Sequence, residues 1–182
     1  MVLSVIGGSQ ILKNSPLLLN FYKNHELKYV VETLVNENIF ECKHPEEFIS
    51  ISFLSKRGTT HGWHLDDPPY ALVIFIEAPS CYNDGGLLEF IPNWKTFCEQ
   101  INLEPYKDLN QAIKEAQKLG YIQQYQHKSQ DAYILRADKN LHRVTELNTA
   151  RCKRIIINLG WENRDKVEYG NTASLLYNSN NL

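Results

Sequence analysis

Eight short stretches with strand-like residue usage, each ended by turn residues, most narrow what this chain can fold into. Residues 48–54 (FISISFL) alternate with a period of two. Residues 60–65, 70–77 (YALVIFIE), 87–91, 120–126, 132–135, 141–144 and 154–161 (RIIINLGW) are short extended runs, many of them β-branched or aromatic. Many short strands with turns between them favour an antiparallel sandwich or barrel. Helical spacing occurs at only a few places. Ser15 and Pro16 form a capping pair ahead of Leu17, Leu18 and Leu19, and Leu27, Val30, Val31, Leu34 and Val35 make a second amphipathic run. Leu109, Ala112, Ile113, Ala116 and Leu119 form a third, closed by Gly120. The front third therefore reads as two short helices. The expected fold is mainly β with flanking helices (α+β) around a jelly-roll core. Residues 1–182 are expected to form one domain. Residues 1–40 are its mostly helical flank, 48–161 its core with a helical insertion near 108–120, and 170–182 its tail. At 182 residues such a domain buries about 70% of the surface its unfolded chain exposes and needs no staple.

Charge and cysteine usage exclude several roles. Nineteen Lys and Arg against twenty-one Asp and Glu give a net charge of −2, so no basic balance points to nucleic acid or an anionic membrane. No apolar run approaches the roughly 18 residues of a membrane span. The first residues carry no positive leader and are interrupted by Gly7, Gly8, Ser9 and Gln10, which argues against a signal peptide and for a cytoplasmic protein. Cys42, Cys81, Cys98 and Cys152 form no C-x-x-C pair, so free thiols are expected.

The chemistry concentrates in His61-Gly62-Trp63-His64-Leu65-Asp66-Asp67. Residues two apart on a strand point to one face, so His64 and Asp66 would aim an imidazole and a carboxylate at one point. One more imidazole from a second strand completes two histidines and a carboxylate. That set leaves three adjacent positions open on a six-coordinate Fe(II), enough for a bidentate oxoacid and O2. The further imidazole is His142, in the apolar run LHRV, or His127, in the polar stretch QQYQHKSQ; the strand-like setting favours His142. A cation inside such a pocket can hold a carboxylate in a two-pronged bond. Arg154 shares the parity of Ile156 and Asn158 and is the better candidate, with Arg151 second. Alone, H-x-D is equally a surface turn before Pro68 and Pro69, and Trp63, alternating away from His64, reads as a packing residue.

Taken together, the stretches THGWHLDD, YALVIFIEAP, GGLLEFIP, LHRVTEL and RIIINLGW resemble the Fe(II)/2-oxoglutarate-dependent oxygenases. The branch is that of the free-amino-acid halogenases of the lysine-chlorinating kind and their hydroxylase relatives. The resemblance implies a double-stranded β-helix, with His64, Asp66 and His142 as iron ligands and Arg154 pairing with the distal carboxylate of 2-oxoglutarate. In the halogenases a small residue replaces the carboxylate and makes room for chloride. Asp66 therefore implies hydroxylation of an unactivated C–H bond, with Fe(II), 2-oxoglutarate and O2 as cofactor and cosubstrates. The resemblance also assigns substrate contacts to His61, Asp67 and Asn158, and to an acid upstream of the motif, Glu47 with Glu46 close behind. Two positions depart from the family pattern: Gly160 stands where a polar substrate contact would be expected, and Tyr177, in the polar tail, is the candidate for the aromatic that the halogenases place over the substrate. The partner it implies is a small polar molecule, in the first place a free amino acid. Two rival readings are a cupin-like metal enzyme that does not use 2-oxoglutarate and a non-catalytic jelly-roll binding module.

Overall fold

A computed structural model describes residues 3–167 and 169. The chain runs β1 (Ser4–Ile6), α1 (Gly8–Asn14), α2 (Pro16–Tyr22), α3 (His25–Val35), β2 (Phe40–Glu41), β3 (Ile49–Leu54), β4 (His61–His64) and β5 (Tyr70–Glu77). It continues through β6 (Leu88–Ile91), α4 (Trp94–Gln100), α5 (Leu109–Lys118), β7 (Gln123–Tyr125), β8 (Ala132–Arg136), β9 (Leu141–Val144) and β10 (Arg154–Glu162). One sheet has the order β1-β3-β10-β5-β8, with β2 also on β10; the other has the order β4-β9-β6-β7. All strand pairs are antiparallel. From β3 onward the chain alternates between the two sheets, apart from the β6–β7 pair, which is the winding of a double-stranded β-helix, or jelly roll. No helix among the described residues is long and apolar enough to cross a membrane.

The helical parts exceed the sequence expectation in two places. Three helices, not two, precede the core, because the Gly7-Gly8 segment starts α1 instead of breaking the chain. Gly8 sits so close to the 45–48 loop that a Cβ would overlap the Phe48 ring and the Pro45 carbonyl. Its N–H donates to the Glu46 carbonyl at 3.1 Å. The Ser15 cap holds as expected, its Oγ accepting from Leu18 N–H at 3.5 Å. A further helix, α4, precedes α5, which occupies Leu109–Lys118. Trp94, Phe97 and Cys98 of α4 join Ala112 and Ala116 of α5 in a core with Ile91 and Leu141, and Trp63 packs against it. β1 and β2 have three and two residues, too short to leave a period in the sequence. β7 covers only part of the 120–126 run.

The alternation along β3 is inverted relative to an ordinary half-exposed strand. Ile49 and Ile51 lie under the helices in a core with Ile11, Tyr22, Val31, Leu72, Leu159 and Trp161. Ser50 and Ser52 face the inside of the jelly roll. β10 repeats the pattern, with Ile157, Leu159 and Trp161 outward and Arg154, Ile156 and Asn158 inward. The helices bury the outer face of the large sheet, so the apolar side faces them and the interior is left to carry polar groups.

Tyr22 ties this helical layer to the core. It stacks on Trp161 at 5.4 Å, donates its hydroxyl proton to the Gly160 carbonyl at 2.9 Å and accepts from Cys42 N–H at 3.0 Å. Replacing Tyr22 by Phe keeps the ring and strands two buried backbone groups. We expect a loss of about 1–3 kcal/mol, measured as a lower urea midpoint with an unchanged m-value.

Candidate metal centre and adjoining pocket

The centre is built on one cross-strand pair. β4 and β9 are antiparallel, and their register sets His64 directly opposite His142. In each histidine, Nδ1 faces the carbonyl two residues earlier, Gly62 at 2.6 Å and Asn140 at 2.9 Å. A carbonyl only accepts, so both Nδ1 atoms carry protons and donate, and both Nε2 atoms are left facing the interior. Those two atoms converge on Asp66, at 3.4 Å from Oδ1 and 3.7 Å from Oδ2. The ligand atoms of His64, Asp66 and His142 all lie within 4.8 Å of one another.

Asp66 reaches this point by a different route from the one its spacing suggests. β4 ends at His64, and Asp66 lies beyond it, its N–H donating to the Ala137 carbonyl at 3.2 Å. That hydrogen bond to the segment before β9, instead of strand parity, aims the carboxylate. Burial alone would raise the Asp66 carboxyl, but the imidazoles of His142 and His64 outweigh it and hold it well below the usual range. Burial, reinforced by His64, lowers His142 to about 4. At neutral pH the site thus pairs an ionised carboxylate with a neutral His142, the states metal ligation requires. His127 is elsewhere, stacked on Phe75 and tilted against Tyr133, each with centroids 4.7 Å away.

Two adjoining cavities meet the cluster: one of about 50 Å³ is lined by Asp66, the other of about 60 Å³ by His64, Asp66 and His142. The second leads to Arg154, which is 2% exposed. Its guanidinium lies 4.9 Å over the Phe75 ring, and burial pulls its pKa down while the Tyr133 hydroxyl offsets part of that. Its Nε has no hydrogen-bond partner among the described residues. A buried cation with an open donor fits a small dianion lying between it and the three side chains. Arg151 is exposed and lines neither cavity.

The first cavity holds the other sequence candidates. Glu47, His61 and Asn158 line it with Ser50 and Ser52. His61 packs its ring on His64 at 3.7 Å. Burial, and secondarily Asp66 and Asp67, push the Glu47 carboxyl up to about 8. Glu47 Oε2 and Asn158 Oδ1 are buried without hydrogen-bond partners among the described residues. Glu46 is turned away, its Oε2 accepting from Ser9 N–H at 3.3 Å. Gly160 is required by close approach, since a Cβ there would come within 2.7 Å of the Glu47 carbonyl. Asp67 does not line this cavity; it faces a separate recess with Asp138, Glu162 and Arg164. Tyr177 lies outside the described residues. Sequence reasoning missed Ser50, Ser52 and Tyr133 as pocket residues. The signal for the serines was present in the alternation of β3, which was readable as polar-inside once helices cover the other face.

A family model described as Halogenase D matches residues 2–178. No curated protein matches the chain. Among solved structures, the fold is similar to that of AviO1 from Streptomyces viridochromogenes Tue57, with a TM-score of 0.65 and 11% identity over 91% of this chain and 69% of that one. HygX from Streptomyces hygroscopicus, solved with nickel and 2-oxoglutarate bound, gives 0.61 and 11% over 92% and 72%. A 2OG-Fe(II) oxygenase family oxidoreductase from Burkholderia pseudomallei gives 0.54 and 13% over 81% of this chain and 55% of that one, so the chain spans little more than half of its length. At these identities the likeness is one of fold.

Proposed function

Because the chain belongs to the Halogenase D family, we propose that it is an Fe(II)- and 2-oxoglutarate-dependent oxygenase acting on a small polar substrate, in the first place a free amino acid. The observation that carries this reading is the placing of a buried, incompletely paired Arg154 across a cavity from the His64–Asp66–His142 cluster. In this reading His64, Asp66 and His142 hold the iron. Arg154 receives the distal carboxylate of 2-oxoglutarate, with Tyr133 beside it. When bound there, iron would supply the oxidising chemistry that couples decarboxylation of 2-oxoglutarate to oxidation of a substrate C–H bond by O2. The chain's own part is orientation and exclusion of water. The Nδ1–H bonds of His64 and His142 to backbone carbonyls fix both rings, and the apolar walls of Ala71, Val73 and Ile156 keep the cavity dry. Asn158 offers an open acceptor to a substrate N–H group, Glu47 offers a buried carboxyl that can donate or accept, and His61 buttresses His64. Asp67, across the separate recess, acts on this side through its charge.

Asp66 favours hydroxylation over halogenation, because its carboxylate occupies the position a chloride ion would need. The family name favours the second reading, halogenation. Incubation with an amino-acid panel, iron, 2-oxoglutarate and O2 in chloride buffer separates them. We expect substrate-dependent succinate and a product that gains one oxygen atom by mass spectrometry. A chlorinated product would overturn the hydroxylation reading. Iron bound without an anaerobic charge-transfer band on adding 2-oxoglutarate would favour a cupin-like enzyme, and no bound iron would leave a binding module.

A further inference from the structure

We propose that His127 is a positioning residue for the cosubstrate: it backs the Phe75–Tyr133 wall on which the Arg154 guanidinium rests, and so sets the length of oxodiacid that the cavity beside Arg154 holds. This rests on the reading of Arg154 as the anchor of the distal 2-oxoglutarate carboxylate. His127 takes no part in the metal cluster, yet it stands one ring away from that anchor. Its imidazole lies nearly parallel to the Phe75 ring, at 4.7 Å and 15°, and against Tyr133 at 4.7 Å. Phe75 and Tyr133 meet each other at 6.0 Å. Phe75 carries the guanidinium at 4.9 Å. Burial lowers the pKa of that cation, and the Tyr133 hydroxyl beside it raises it. Tyr133 and Arg154 line the cavity that reaches the metal cluster, and His127 stands one layer behind them.

The loop that carries His127 is fastened to β5. Residues 126–131 cross from β7 in the small sheet to β8 in the large one. Phe75 N–H donates to the Asp131 carbonyl at 2.9 Å, and Gln130 N–H donates to the Phe75 carbonyl at 2.8 Å. Ala78 N–H donates to Ser129 Oγ at 3.1 Å, and Lys128 N–H to Asp131 Oδ2 at 2.7 Å. These bonds hold the loop to the very residue on which the imidazole stacks, so the imidazole cannot withdraw from Phe75 without breaking them. Burial and the Arg154 charge lower the His127 pKa, with Asp131 opposing. At neutral pH an uncharged ring, not a second cation, therefore meets Phe75. Protein interiors are close-packed, and a void behind a buried ring is filled only by movement of its neighbours. Without the imidazole, Phe75 settles toward the vacated space and the guanidinium follows it. The span from Arg154 to the three metal ligands then lengthens, which favours a longer oxodiacid.

The test compares His127→Ala with His127→Phe, which keeps a flat ring in the stack. The Fe(II)-loaded protein is titrated anaerobically with 2-oxoglutarate and with 2-oxoadipate, one methylene longer, and binding is read from the charge-transfer band. The wild type will prefer 2-oxoglutarate by at least about tenfold, the low end for one methylene in a fitted pocket. His127→Ala will cut that preference several-fold. It will also raise the 2-oxoglutarate dissociation constant by about tenfold, the scale of loss when a partner that orients a metal ligand is removed. His127→Phe will restore both. A ring with a purely structural role would lower the thermal midpoint and leave the ratio of the two affinities alone. An unchanged ratio in His127→Ala therefore overturns the proposal, as does a phenylalanine variant that behaves like alanine. If the wild type shows no band with either oxodiacid, the cosubstrate reading fails and the positioning is judged on Arg154 itself. Its Nε–H signal, identified by its loss in Arg154→Lys, is then followed by NMR in the metal-free protein. Several-fold faster exchange with solvent in His127→Ala, reversed in His127→Phe, supports the backing role, and equal rates overturn it.

Discussion

Asp66→Ala will abolish tight Fe(II) binding while leaving the protein folded. The carboxylate stands between two Nε2 atoms at 3.4 and 3.7 Å, so its removal leaves two imidazoles with no anion to balance a dication. Losing a partner that merely supports a ligand costs about 10–100-fold in metal affinity. Loss of the only carboxylate in the cluster will cost more, at least about 100-fold. Anaerobic equilibrium dialysis reads the iron, and circular dichroism reads the fold. Because the Asp66 N–H bond to Ala137 is made by the backbone, the alanine variant retains it and the loop keeps its path. Iron retained with wild-type affinity would sink the assignment of these three side chains.

Arg154→Met will have effects of opposite sign on ligand binding and on ligand-free stability. Arg154 is fully enclosed, and among the described residues its charge is met by the Phe75 face and the Tyr133 hydroxyl. A buried cation without an anion costs more than an apolar side chain of similar length. The ligand-free methionine variant will therefore gain about 1 kcal/mol or more, read as a higher thermal midpoint. The same change removes the cationic partner of a dianion, which costs about 2–5 kcal/mol. The 2-oxoglutarate dissociation constant will rise by about two orders of magnitude in the anaerobic titration. Arg154→Lys keeps the charge but loses the two-pronged geometry, and will fall between. A variant that loses both stability and binding would mean that Arg154 is a structural residue.

The sequence made the centre legible because its chemistry is local. His64 and Asp66 are two residues apart, and His142 and Arg154 lie in strands whose parity could be read. Elements with their own period, such as β3, β5, β9, β10 and α5, were legible for the same reason. What was hidden depends on contacts between distant segments. β1 is a strand only because β3 offers an edge. α1 exists because Gly8 can lie against the 45–48 loop. Glu46 and Glu47 are adjacent and chemically alike, and only the docking of α1 onto Glu46 leaves Glu47 for the pocket. Asp67 follows Asp66 directly, yet the chain turns there and sends it to the other recess. Tyr133 carried no motif, since its place beside Arg154 arises from the β5–β8 pairing.

The direct pairing of His64 with His142 has a mechanical meaning. Among the described strands β4 is the outermost of the small sheet, four residues long, with an irregular register between His61 and His64. A cation held by both rings would rivet this margin to its neighbour, and its binding energy would add directly to the cohesion of the rim. An excess of free metal at 100 times the dissociation constant would be worth about 2.7 kcal/mol there. Metal binding would then hold the margin of the jelly roll closed, and the metal-loaded protein would resist proteolysis at β4 better than the metal-free one.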